Sequence, residues 1–166
     1  RRILIGAALA ACMAPTPQLL DTVADGIWCI CEESFWGVSA HNGSDHPGQL
    51  PASARPLPDR SNPYIDLFAA QTGCTLALVS RLLGKELDSI TPLLRRRIRT
   101  EIEERIFRPF MTHDDFWWMG MIRSDVNNWT PWIVSSVLHT AQALMTDDAD
   151  LALLVERALR MLDRYV

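Results

Sequence analysis

Two groups of residues in this chain carry side chains suited to one kind of chemistry. The first is Glu32, Glu33, Trp36 and His41, and the second is Trp117, Trp118, Asn127, Asn128 and Trp129, with Trp132 following. Tryptophan faces stack on sugar rings, while amides and carboxylates hydrogen-bond sugar hydroxyls. Concave ligand sites combine apolar walls with a few polar groups in this way. Each tryptophan taken singly also fits a packing role, and each polar residue a helix cap. It is their density on two stretches that points to a site. Glu32 and Glu33 make a poor glycosidase acid–base pair, because adjacent residues on a helix point about 100° apart.

Among the histidines, His41 reads either as a substrate ligand or base, or as a loop histidine with a local hydrogen bond. His46 and His113 have no supporting motif, and His139 falls in an apolar stretch that reads as a core helix. No GxGxxG or GxxxxGK[ST] pattern occurs, so no nucleotide cofactor is expected, and no HExxH or EF-hand loop calls for a metal.

Helices must position these residues. Thr16-Pro17, Asn62-Pro63, Thr91-Pro92 and Thr130-Pro131 each place a capping side chain before a proline, the pattern of a helix start. Gly84 reads as the stop of the helix that Pro63 begins. From Pro92 to Phe110, Leu94, Ile98, Ile102, Ile106 and Phe110 form one apolar stripe. Arginines and glutamates fill the opposite face, with Glu101–Arg105 and Glu104–Arg108 at i,i+4 spacing. That face is expected to be solvated. The helices near 63–83 and 131–145 are apolar nearly all round, and 151–165 is amphipathic. The last four helices therefore alternate buried and exposed, as two concentric helix layers do. Two further helices are read at 2–13 and 17–33, giving about six in one all-α domain over 1–166. Between the helices lie two long loops, 34–61 and 112–129. Long loops in a compact domain are usually functional or disordered, and four of the six tryptophans sit on these two.

Composition bounds the partners. With 48% hydrophobic residues, 22% charged residues and a net charge of −4, the balance is that of an ordinary globular domain. A basic excess suited to nucleic acid is missing, although a local cleft can still be basic. The apolar run 3–10 after Arg1-Arg2 imitates a signal peptide, but Thr16-Pro17 opens a new helix at once, which favours an outer helix. No apolar run reaches membrane-spanning length. Cys12, Cys29, Cys31 and Cys74 all lie in apolar segments without CxxC spacing and read as buried free thiols. They do not decide the compartment.

The segment from Cys31 to Asn42, CEESFWGVSAHN, resembles the EES-aromatic-W…PAHN segment of heparinase II/III-like proteins. Phe116-Trp117-Trp118-Met119-Gly120 and Asn127-Asn128-Trp129-Thr130-Pro131-Trp132 resemble that family's WWMG and NNW-x-x-W segments. The resemblance covers almost the whole chain and implies an incomplete α/α toroid of helices in antiparallel pairs, the N-terminal portion of a protein whose further toroid helices and β-sandwich lie downstream. It also implies an acidic polysaccharide or oligosaccharide as partner, cleaved by β-elimination. That reaction needs a group that neutralises the uronate carboxylate and a base that removes the adjacent proton. Asn128, beside Asn127, matches the neutralising asparagine. His41 is the candidate base or ligand, and Glu33, Trp36, Trp117, Trp118, Asn127, Trp129 and Trp132 are the candidate sugar contacts. Related lyases carry a histidine directly after the asparagine, where this chain has Trp129. The family's catalytic tyrosine lies further downstream. Tyr64 and Tyr165 match it poorly, so the chain by itself is expected to be inactive.

Overall fold

A computed structural model of the chain describes residues 1–41, 57–122 and 124–166, which fold as an all-α protein. The helices are α1 (Arg2–Met13), α2 (Pro17–Glu32), α3 (Leu67–Leu82), α4 (Gly84–Ile90), α5 (Pro92–Ile102), α6 (Arg108–Thr112), α7 (Trp129–Leu144) and α8 (Asp148–Tyr165). Single turns of tighter helix occupy Ser39–His41 and Trp117–Met119. Asn42, His46 and the prolines at 47, 51 and 56 lie outside the described residues. Among those described, no single helix is long and apolar enough to cross a membrane.

Two of the four threonine- or asparagine-proline signals act as expected. Thr16 and Thr91 cap α2 and α5 by accepting the N–H groups of Leu19 and Leu93, both at 3.3 Å. The other two do not. Instead of starting at Pro63, α3 starts at Leu67, capped by Asp66, whose Oδ1 accepts the Ala69 N–H at 2.7 Å. Helix α7 begins at Trp129, while the Thr130 hydroxyl is buried and donates to the Trp118 carbonyl at 2.5 Å. Gly84 does not terminate a helix; it opens α4, which leaves α3 at an angle of 84°.

The stripe Leu94, Ile98, Ile102, Ile106 and Phe110 is buried as its spacing requires. Burying each of the larger side chains contributes about 1.5–3 kcal/mol. Helices α5 and α6 run on through a π turn at Glu103–Phe107, in which the Arg108 N–H reaches back to the Glu103 carbonyl. Pro109 has no N–H to give the carbonyl four residues earlier, and widening the turn before it relieves the clash of its ring. The opposite face is not wholly solvated. Glu101 and Arg105 are buried and paired with each other, so this one of the two expected i,i+4 pairs forms, while its expected exposure does not hold.

Helices α3 and α7 pack most extensively against each other, with α8 against α7, α1 and α2 paired, and α5 crossing α2 and α3. As expected from their composition, α3 and α7 bury many residues, whereas α8 buries only Leu154, Ala158 and Met161. All four cysteines are free thiols, but the expected burial holds fully only for Cys31. Cys74 is half-buried, and Cys12 and Cys29 are exposed.

Candidate functional site

Asp66 organises the site. Its carboxylate is fully buried, and three N–H groups converge on it. Oδ1 caps α3 through Ala69, while Oδ2 accepts the Val38 N–H at 3.1 Å and faces His41 Nδ1 at 2.7 Å. A carboxylate accepts and does not donate, so His41 presents Nδ1 to Asp66 as an N–H donor. The chain approaches Asp66 closely only because residue 37 is glycine. A Cβ there would stand 2.6 Å from Asp66 Oδ2 and 2.6 Å from the Phe35 ring.

His41 keeps 23% of its side chain exposed and lies among aromatic rings. Its centroid is 4.6 Å from that of Trp129 and 6.1 Å from that of Phe68, and Trp117 in turn lies 5.0 Å from Trp129. Residues from both motif-bearing stretches thus meet: His41 from the first, Trp117 and Trp129 from the second. Asn127, itself exposed, shapes the entry to α7 by accepting the Trp129 N–H at 2.9 Å through its side-chain oxygen. Asn128, the residue before α7, is exposed and makes no capping bond with its side chain. Trp132, one turn into α7, is 46% exposed.

Two of the expected sugar contacts belong to the core. Trp118 is 0% exposed, donates its indole N–H to the Ile65 carbonyl at 2.8 Å, and stacks on Phe110. Trp36 is 3% exposed, donates to the Ile30 carbonyl at 2.8 Å, and lies under the Arg105 guanidinium at 4.6 Å. Neither offers an open ring face, because large aromatics beside a helix crossing gain more from burial than from display. In the WWMG segment, Trp118 therefore anchors, while Trp117 is half-buried against Trp129. Gly120, at φ +69°, ends the turn in the left-handed conformation that glycine adopts without strain. Its carbonyl accepts Arg164 from α8 at 3.2 Å.

Glu33 does not join the His41 cluster. It pairs with both terminal nitrogens of Arg1, at 2.6 and 2.5 Å, on the wall of a neighbouring cleft of about 600 Å³. Glu32 is exposed and pairs with Arg97 at 3.0 Å. His113 faces Asp115 at 2.9 Å and stacks on Phe116. His139, expected in the core, is exposed and bonds the Ser135 carbonyl within its own helix.

The backbone that carries Glu33 and Trp36 is held from α5 and the π turn. Arg105 donates to the carbonyls of Glu33 at 2.7 Å and Cys31 at 3.2 Å, and Arg97 also reaches the Cys31 carbonyl. These cations sit where the C-terminus of α2 leaves carbonyls unpaired. Glu101 neutralises both, with Arg97 Nε at 2.7 Å and Arg105 in close contact. Among the described residues, no group of three His, Cys, Asp or Glu side chains is placed to hold a metal ion.

Asp66 was missed by sequence reasoning as a site residue. The available signal was a single carboxylate opening an otherwise apolar helix, since an aspartate is seldom fully buried without a partner. No protein-family model matches the sequence, and comparison with curated proteins finds no match.

Proposed function

We propose that this chain is the glycan-binding part, folded as a portion of an α/α toroid, of a lyase that cleaves uronic-acid-containing polysaccharides by β-elimination. The observation that carries the reading is the meeting of His41, held by Asp66, with Trp129 and Trp117. A sugar ring laid against the half-buried Trp117 and Trp129 lies next to the His41 imidazole, whose Nε2 is the atom proposed to take the proton. The amides of Asn127 and Asn128, at the N-terminus of α7, provide N–H donors for a uronate carboxylate, and the helix end adds partial positive charge. Neutralising that carboxylate makes the adjacent C–H more acidic. His41 then removes the proton, the electron pair forms the new double bond, and the glycosidic oxygen leaves.

A second reading is a glycan-binding module without turnover. It is favoured by the state of Tyr64, which is buried edge-on against Phe116 and closed to a polymer. Protonation of the leaving oxygen then needs a group other than this phenol.

The test uses the full-length protein that carries this sequence, incubated with pectate, alginate and heparin-type polymers. Unsaturated products absorb in the near ultraviolet. Asn128→Ala and His41→Ala are each expected to lower their formation by about a hundredfold or more. Unchanged rates in both variants overturn the site assignment. Binding without product at any enzyme concentration moves the assignment to the second reading.

A further inference from the structure

The cleft that holds Glu33 is distinct from the His41 cluster but shares a wall with it. Phe68 lines the cleft and also stacks near His41 at 6.1 Å, and Val38, which lines it too, donates its N–H to Asp66. A volume of about 600 Å³ falls within the range of sites for small organic ligands.

Its walls are those of a sugar site. On one side α3 presents Phe68, Gln71, Thr72 and Thr75, the i, i+3, i+4, i+7 spacing of a single helix face. An aromatic ring, an amide and two hydroxyls therefore line up on a helix that is otherwise largely apolar. Phe68 is 45% exposed, an open face for the C–H side of a pyranose. Opposite stands the Arg1–Glu33 pair, set in place because Arg1 Nε also donates to Thr72 Oγ1 at 3.2 Å. Three of the guanidinium's five N–H groups are used in these contacts, leaving two for a ligand, and the carboxylate retains lone pairs. Such a pair offers donors and acceptors in one plane to neighbouring sugar hydroxyls at little entropic cost, because it is already ordered. Arg2 also lines the cleft. Two arginines against one glutamate leave a net positive charge there, on a chain whose net charge is −4. Local charge of that sign favours an acidic ligand.

We propose that this cleft is a second sugar subsite. It takes the next hexuronic acid unit of a chain two of whose units occupy the His41 face, with hydroxyls on Arg1–Glu33 and the ring against Phe68. For the direction of the polymer, the proposal rests on the reading of the His41 face as a glycan site.

Calorimetric titration with uronate disaccharides and tetrasaccharides prepared from pectate, alginate and heparin tests it. The tetrasaccharide that fits is expected to bind at least about tenfold more tightly than its disaccharide. Gln71→Ala, at an exposed position, and Thr75→Trp, which fills the cleft, each remove most of that advantage and leave disaccharide binding unchanged. Circular dichroism verifies that both variants are folded. Tetrasaccharide affinity unaltered in both folded variants overturns the subsite, as does an equal loss for both lengths. His41→Ala separates the two readings, because it weakens the disaccharide only if the His41 face holds sugar. Disaccharide binding indifferent to His41→Ala, with length dependence still lost in Thr75→Trp, upholds the cleft and overturns the His41 reading. A wild-type chain that binds neither length from any of the three polymers overturns both.

Discussion

Asp66 and Glu101 are the two carboxylates that the described residues bury, and they are satisfied in different ways. Glu101 is held by Arg97 and Arg105, which keep their charge at any ordinary pH and also donate to the carbonyls of Cys31 and Glu33. Asp66 is held by two backbone N–H groups and a single imidazole, and that imidazole is partly open to solvent among aromatic rings. The first arrangement fixes backbone and presents no titrating group to a ligand. In the second, the buried carboxylate orients an imidazole that ligands can reach. Burial alone does not distinguish the two carboxylates; the kind of partner does.

The largest effect expected from this contrast is at Glu101. Replacing it with alanine leaves the Arg105 charge buried without its partner, which destabilises by about 3–5 kcal/mol. In a domain of this size the midpoint of thermal unfolding falls by roughly 10 °C or more. A calorimetric shift of only a degree or two contradicts the scaffold role. Asp66→Asn is expected to cost less, about 1–3 kcal/mol. The amide retains an acceptor for the α3 cap but turns an NH2 group toward Val38 and His41. Because that amide turns a donor toward His41 Nδ1, the activity proposed for His41 is expected to fall more steeply than stability does. Equal losses of stability and activity in both variants remove the distinction between the two carboxylates.

The sequence exposed these two regions unequally. The α5 stripe was legible because its spacing admits one buried face, and the loop tryptophans were legible as a dense aromatic group. What the pattern of single residues does not contain is which ring is needed inside. Trp117 and Trp118 are neighbours in one motif, and only the crossing of Ile65 and Phe110 beneath the turn decides that Trp118 is the anchor. Glu101 looks like its neighbours Glu103 and Glu104, but it faces the end of α2, a relation set by tertiary packing. Asp66 was hidden for a related reason. Pro63 reads as a helix start by its type, whereas the helix starts four residues later and makes Asp66 its buried cap.

The smallest expected effect sharpens the comparison from the scaffold side, because Cys31 adjoins the Glu101 network. Burial, and then the Glu101 charge, push the Cys31 thiol from an ordinary 9.0 up to about 11. A thiol harder to ionise when folded favours the native state fully below pH 9, and this contribution is lost as pH rises toward 11. In Cys31→Ser nothing titrates at that position, so its unfolding midpoint is expected to decline less between pH 9 and 11 than that of the parent, with no difference in slope near pH 7. Alkylation at pH 8 gives the complementary readout. The exposed Cys12 and Cys29 label in the folded protein, whereas Cys31 labels only on unfolding. Rapid labelling of Cys31 in the native state means that the end of α2 opens readily. Arg97 and Arg105 would then not hold it shut, and Glu101 would lose its standing as the rigid counterpart of Asp66.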